Sequence, residues 1–220
     1  MSSRARALVV DDHPLFRRGL VGLLQDSGIV DVVAEADNAR DAKVQVSQYE
    51  LEVIICDLSL PDISGLSLIA DIRAGGYQGA LLVLSMRDEL MFAPRALRAG
   101  ADGYLDKSSS PDEIVDAVRR VLLGERVLSQ EQSERLNARK DGAGVPDSPG
   151  TRLSNRELEV FELTGRGHGT REVAEGLGIS IKTVETHKAN IRAKLVLADA
   201  SELMRAAVAW VAEARDERSG

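Results

Sequence analysis

Residues 53–66 read VIICDLSLPDISGL. Val53, Ile54, Ile55 and Cys56 form a short apolar run, rich in β-branched side chains, that fits a strand buried on both faces of a parallel sheet. It ends at Asp57, and a stretch with helical spacing follows at 66–74. The same alternation repeats on both sides of this stretch. Short apolar runs lie at 7–10, 30–34, 81–84 and 103–105, and helical spacing at 14–25, 39–49, 90–99 and 112–123. In the last of these, Ile114, Val115, Val118, Val121 and Leu122 recur at three and four residues, after an N-cap Ser110 and an N1 proline, Pro111. Five βα units in succession predict a parallel sheet with helices on both faces.

Such a sheet binds ligands at the carboxyl ends of its strands. Asp11 and Asp12 follow the first strand, Asp57 the third, Ser85 the fourth, and Asp106 and Lys107 the fifth. Clustered carboxylates repel one another unless a hard divalent cation neutralises them, which points to Mg²⁺, with Mn²⁺ as the alternative. A carboxylate beside such an ion, Lys107 and Ser85 can attack an activated phosphoryl group. Any one of these residues also reads as structural, and Asp12 before His13-Pro14 fits a cap of the first helix. Their joint placement at strand ends is the stronger signal. Cys56 reads as an inert, buried small hydrophobe.

Composition narrows the class. The 220 residues are 44% hydrophobic and 29% charged, ordinary for a globular chain. One cysteine excludes an internal disulfide framework, and three scattered histidines argue against a histidine-built metal site. No apolar run approaches the roughly 20 residues that span a bilayer, and no signal-peptide core opens the chain, so a cytoplasmic protein without a membrane partner is expected. The net charge of −7 is uneven: residues 1–128 carry −6, 129–150 carry −1, 151–195 carry +2 and 196–220 carry −2. Phosphate-backbone binding is therefore to be sought in 151–195.

Residues 130–150 are polar and end in a Gly/Pro/Ser/Asp cluster, as an exposed linker does. From Arg152 onward no strand signal remains. Ser154 and Glu157 form a capping box ahead of Leu158, Val160, Phe161 and Leu163. After a glycine-rich turn at 165–169, Thr170 can cap a second helix closed by Gly178, and Ser180 can cap a third at 181–195. This is a helix-turn-helix. Projected at about 100° per residue, the third helix clusters Ile181, Val184, Ile191 and Leu195 toward a core. Lys182, Thr186, Ala189 and Ala193 face away from it, with long basic residues at the margins. In the final helix, Leu203, Ala206, Ala207 and Trp210 share one side, and Trp210, the only tryptophan, is either core or dimer interface.

The segments VVDDHPLFRRGL (9–20), ICDLSLPDISGL (55–66), LSMRDE (84–89) and GADGYLDK (100–107) together resemble the receiver domain of two-component response regulators, with its flavodoxin-like fold. The resemblance spans 5–124. It implies that Asp57 accepts phosphate from a sensor histidine kinase. Asp11, Asp12, Asp57 and the Ser59 carbonyl would hold Mg²⁺. It makes Ser85 the switch hydroxyl, Lys107 the phosphate-pairing cation and Tyr104 the rotameric aromatic that follows Ser85 inward. Pro61 and Gly65 match the loop after the acceptor. Ser108 stands where many receivers have proline, and Leu60 where methionine is common. Ser59 and Arg87 flank the line of water attack and are implied to set the phosphate lifetime.

The segments LSNRELEV (153–160) and REVAEGLGISIKTVETHKANIRAKL (171–195) resemble the LuxR-type helix-turn-helix of NarL/FixJ regulators, covering 151–216 after a linker at 125–150. His168 and Gly169 depart from the usual turn residues. The resemblance implies base contacts from Glu185, Thr186 and Ala189 to double-stranded promoter DNA. Phosphate contacts are expected from Lys182, Thr183, His187, Lys188 and Arg192. His187 reads equally well as a packed helix residue. A homodimer on DNA would form through Leu203, Ala206, Ala207 and Trp210. The chain is then a phosphorylation-controlled transcription regulator and not a turnover enzyme. An aspartate-based phosphatase fits less well, because its nucleophile follows the first strand in a D-x-D arrangement. A phosphorylation-independent receiver fits less well because the quintet Asp11, Asp12, Asp57, Ser85 and Lys107 is intact.

Overall fold

The computed structural model describes residues 4–130, 132–134 and 149–216. The chain divides into two compact units, Met1–Asn137 and Ala138–Gly220.

In the first unit, β1 (Ala5–Val10), β2 (Val30–Ala36), β3 (Val53–Cys56), β4 (Ala80–Ser85) and β5 (Gly103–Asp106) form one sheet in the order β2-β1-β3-β4-β5, every neighbouring pair parallel. The intervening helices are α1 (Pro14–Asp26), α2 (Ala39–Gln48), α3 (Gly65–Ala74), α4 (Glu89–Ala99) and α5 (Pro111–Leu122). All four residues of β3 are buried, as its unbroken apolar run requires. Ala7, Val9, Val53, Ile55, Leu82 and Leu84 pack one sheet face against Leu20 and Leu24 of α1 and Ile114, Val118 and Val121 of α5. The capping box of α5 forms as read: Ser110 accepts from the Glu113 N–H, and Glu113 accepts from the Ser110 N–H at 2.7 Å. The strand order reverses between β1 and β3, and the carboxyl ends there form the crevice in which doubly wound sheets bind ligands.

The expected linker boundary at 125 is corrected. Val127 is buried and bridges Gly103, and its carbonyl accepts the Tyr104 N–H at 2.8 Å. Gln132 is also buried and donates to the Glu89 carbonyl at 3.0 Å. The sheet edge at β5 thus captures Val127, and the start of α4 holds Gln132, in a segment expected to be linker. Most of the remaining expected linker lies outside the described residues.

The second unit is helical: α6 (Pro149–Arg152), α7 (Asn155–Gly165), α8 (Thr170–Gly176), α9 (Ile181–Leu195) and α10 (Ala200–Asp216). Ser154 and Glu157 form the capping box of α7, and Ser180 caps α9 by accepting from the Thr183 N–H at 3.0 Å. The cap of α8 is Gly169 rather than Thr170, with Glu172 accepting the Gly169 N–H at 2.8 Å. Gly178 adopts φ +61 in the turn between α8 and α9, a left-handed conformation that explains glycine there. Leu158, Phe161, Val173, Leu177, Val184, Ile191, Leu203 and Ala207 are buried.

Candidate functional site

At the switch point the first unit brings Asp11, Asp12 and Asp57 together with His13. One ligand-capable atom from each lies within 4.8 Å of all the others. Asp11 and Asp57 are buried, and Lys107 reaches between them with Nζ 2.8 Å from Asp11 Oδ2 and 2.6 Å from Asp57 Oδ2. Burial alone would depress the Lys107 pKa, but the attraction of Asp57 and Asp11 outweighs it and raises it, so the ammonium stays charged. Asp57 Oδ1 is buried without a hydrogen-bond partner. One acceptor oxygen is therefore tied and the other is open.

Asp12 does not cap α1: its N-cap is His13, with no side-chain capping bond. Burial raises the Asp12 pKa, His13 works against this, and Asp57 and Asp11 push it up further. A partly buried carboxylate held near two others is a poor hydrogen-bonding residue and a good cation ligand. The donor set is all hard oxygen apart from His13, which suits Mg²⁺. The burial of Cys56 raises its thiol pKa far above neutrality, so it is inert as read.

Ser85 ends β4, fully buried, and its Oγ lies 3.4 Å from the Arg87 backbone nitrogen. Tyr104 is fully buried, and its hydroxyl donates to the Arg87 carbonyl at 2.7 Å. The ring expected to swing thus occupies the inward position here. Gly65 closes the acceptor loop. A Cβ at this position would stand 2.6 Å from Leu58 Cα and press on the Asp57 carbonyl, which explains its glycine.

On α9, Lys182, Glu185, Thr186 and Ala189 are exposed along one face, and Thr183, Lys188 and Arg192 are half-buried beside it. Lys188 donates to Thr170 Oγ1 at 2.8 Å, and Lys194 bonds Glu157 Oε2 at 2.6 Å, which pins α9 to the starts of α8 and α7. Burial alone would raise the Glu157 pKa, but Lys194 and the Ser154 cap lower it.

The response regulator receiver domain family matches residues 7–119, and the luxR family of bacterial regulatory proteins matches 151–207. The chain belongs to the LuxR-family response regulators. The transcriptional regulatory protein UhpA of Escherichia coli K12 is 36% identical over 197 residues, 90% of this chain and 94% of UhpA. The receiver domain of the putative regulator NarL from Mycobacterium tuberculosis is 36% identical, with a TM-score of 0.54 over 56% of this chain and all of that one. RcsB from Salmonella enterica, solved bound to a promoter with the phosphomimetic BeF3⁻, is 26% identical with a TM-score of 0.62. That match covers 94% of this chain and 99% of RcsB.

Two expectations for this response regulator's C-terminal unit need correction, and one left open is narrowed. Leu203 and Ala207 are buried inside the luxR-type domain, and Trp210 packs on Phe161 with ring centroids 5.5 Å apart, so this side of α10 is core and not a dimer face. Ala206 is half-buried beside it, and the outward apolar residues are Met204 and Val208. His187 is half-buried with its Nδ1 buried and unpartnered, and burial, reinforced by Arg156, lowers its pKa, which favours the packed reading of this residue. Ile181, expected in the core stripe, is 50% exposed in the first turn of α9.

Sequence reasoning passed over three residues that shape the receiver pocket. Arg17 donates to the Asp11 carbonyl at 2.5 Å and holds the backbone of the acidic pair. Phe16 lays its ring 4.7 Å from Lys107 Nζ, a cation–π contact inside the site. Asp62 accepts the N–H groups of Ala39 and Arg40 at 2.9 Å, which ties the acceptor loop to α2. Burial would raise its pKa, but these donors and Ile63 hold it below the ordinary range. Only Phe16 and Arg17 carried a signal, their spacing after the acidic pair.

Proposed function

We propose that this regulator is switched by transfer of a phosphoryl group from a sensor histidine kinase to Asp57, and that the phosphorylated chain dimerises and binds promoter DNA through α9. The observation that carries the reading is the asymmetry of Asp57: Oδ2 is bound by Lys107, and Oδ1 is buried without a partner. The open oxygen attacks phosphorus as the phosphorus–nitrogen bond of the donor histidine breaks. Lys107 then faces the oxygen charge brought in by the phosphoryl group.

Asp11, Asp12, Asp57 and the Ser59 carbonyl would hold Mg²⁺, which when bound supplies charge neutralisation for the incoming phosphoryl group. The new phosphate adds about −1.5 to −2 charges, and the Ser85 hydroxyl turns to donate to it. Tyr104, bonded to the Arg87 carbonyl, carries that movement into the start of α4. Arg87 Nε bonds Ser59 Oγ at 3.2 Å, so the pair bridges the loops on either side of Asp57 and governs access of water to the phosphate. Dimerisation through the outward face of α10, which bears Met204 and Val208, then doubles the DNA contacts. The chain works in the cytoplasm and, beyond its own phosphorylation and dephosphorylation, is not an enzyme.

Selection of bound duplexes from a random-sequence pool tests this, using the full chain with Mg²⁺ and a small phosphoryl donor. Donor-dependent enrichment should appear with wild type and vanish with Asp57→Ala. Equal enrichment by both would sink the reading, and turnover of small phosphate esters would favour a phosphatase instead.

A further inference from the structure

The acidic pocket contains one nitrogen donor that the hard-cation reading does not use. His13 Nδ1 stands 2.7 Å from Asp12 Oδ1 and 3.5 Å from Asp11 Oδ1. At this separation the two atoms form an ion pair when the imidazole is protonated, and a cation bound between them takes the place of that contact. Asp57 Oδ1, on a side chain only 2% exposed, is unpartnered. A nitrogen 2.7 Å from one carboxylate oxygen and 3.5 Å from another brackets the roughly 3 Å between cis ligands held about 2.1 Å from an ion, and Asp57 brings a further ligand atom within 4.8 Å of the group.

The backbone favours this use of His13. Its N–H donates to Asp11 Oδ1 at 2.8 Å, and its φ of −92 and ψ of 103 place it before α1 rather than in it. The imidazole is 64% exposed, so its position at the rim is not imposed by core packing.

We propose that His13 is a nitrogen ligand of the receiver's cation site, which gives that site a preference for first-row transition ions such as Co²⁺, Ni²⁺ and Zn²⁺ over Mg²⁺. Imidazole suits these ions, whereas Mg²⁺ favours oxygen ligands and retains water. Such ions compete for the same carboxylates that serve phosphorylation, so their free concentration sets how much of the regulator can be loaded with Mg²⁺. The inference rests on the reading of Asp11, Asp12 and Asp57 as a cation site, and it adds a fourth side chain.

The test is titration of the full chain with Co²⁺ and with Mg²⁺ by calorimetry, together with the visible absorption of bound Co²⁺. It is run at pH 8, where an ordinary imidazole is neutral. Wild type, His13→Ala and Asp12→Asn are compared. The ratio of Co²⁺ to Mg²⁺ affinity should fall by about tenfold or more in His13→Ala, in line with the loss of a ligand contact. The Co²⁺ absorption should shift toward that of an all-oxygen site. Asp12→Asn should weaken both metals and remove the band, which separates this site from His168 and His187. A ratio within twofold of wild type in His13→Ala, or a band that survives Asp12→Asn, overturns the assignment of His13 while leaving the Mg²⁺ site intact. Absence of Mg²⁺ binding to wild type would overturn the cation site itself.

Discussion

Replacing Asp12 with asparagine should stabilise the receiver while disabling it. The carboxylate sits with one oxygen within 4.8 Å of ligand atoms of Asp11 and Asp57. At an effective dielectric of about 20, each such repulsion amounts to about 3.5 kcal/mol. Lys107, shared between Asp11 and Asp57, offsets roughly half of the two together, and the side chain of Asp12 is 30% exposed, so water screens much of the rest. About 1 kcal/mol of net strain is left. Burial first, and then Asp57 and Asp11, raise the Asp12 pKa against the pull of His13. A carboxyl whose pKa is higher folded than unfolded destabilises the fold once it is ionised. The effect is absent below the unfolded value of 3.8 and complete above the folded one.

Thermal melts followed by far-UV circular dichroism check this, with Trp210 fluorescence tracking the C-terminal unit separately. In chelator at neutral pH, Asp12→Asn should melt a few degrees above wild type, the size expected for about 1 kcal/mol in a domain of this length. At a hundredfold excess of Mg²⁺ over its dissociation constant, wild type should gain about 2.7 kcal/mol and overtake the variant, which gains little. If Asp12→Asn is no more stable than wild type in chelator, the repulsion argument is wrong, whatever the variant does to phosphorylation.

Val196 caps α9 at φ 59 and ψ 48 and is 81% exposed, so Val196→Gly gives up almost no packing. Relief of a left-handed β-branched residue, about 1–2 kcal/mol, less the roughly 0.5–1 kcal/mol entropic cost of glycine, should stabilise the C-terminal unit by about 0.5–1 kcal/mol in a denaturant titration read by Trp210. Gly65→Ala forces a Cβ onto the Asp57–Leu58 backbone and should slow phosphorylation by about a hundredfold, as a misplaced nucleophile does, measured as the initial rate with a small phosphoryl donor. Glu157 has its pKa lowered by Lys194 and Ser154 against the effect of burial, so the stability it contributes is present above 4.5 and disappears as the pH falls through its folded value. Acid titration of Trp210 fluorescence should show wild type losing its advantage over Glu157→Gln across that window. On α9, Lys182 and Arg192 are the cations without an assigned intramolecular bond, and log affinity against log salt should have a slope of about −1.8 per monomer from these two contacts and about −3.6 per dimer.

The alternation of strands and helices was legible because a strand buried on both faces leaves an unbroken apolar run, as at 53–56, and ends abruptly at a polar residue. The pocket was legible for the same reason: its carboxylates and Lys107 sit at strand ends, where the fold itself gathers them. What escaped were contacts with no periodic trace. The bonds of Arg17 to the Asp11 carbonyl, Arg87 to Ser59 and Asp62 to the start of α2 each join a side chain to a distant or irregular segment. Val127 and Leu128 are an apolar pair too short to read as a strand, and the edge beside Gly103 explains the burial of Val127. In α10 two apolar stripes compete, 203–207–211 and 204–208, and helical spacing alone does not say which turns inward. Contact with α7, where Phe161 meets Trp210, selects the first.

Charge illustrates how structure sharpens such a reading. The stretch 151–195 is the only net positive part of an acidic chain, yet two of the four cations on α9 are already engaged. Lys188 holds Thr170 and Lys194 holds Glu157, bonds that orient α9 against its neighbours. In the proposed function these bonds fix the angle at which Glu185, Thr186 and Ala189 are presented, and Lys182 and Arg192 meet phosphates. A monomer with so few available cations has little non-specific affinity, because that affinity comes almost wholly from neutralised phosphates. Pairing two copies adds their contacts on one duplex without any new chemistry, so a modest shift in the monomer–dimer balance becomes a large change in occupancy. Under the proposed function, control by phosphorylation at Asp57 needs to act only on dimerisation to govern DNA binding.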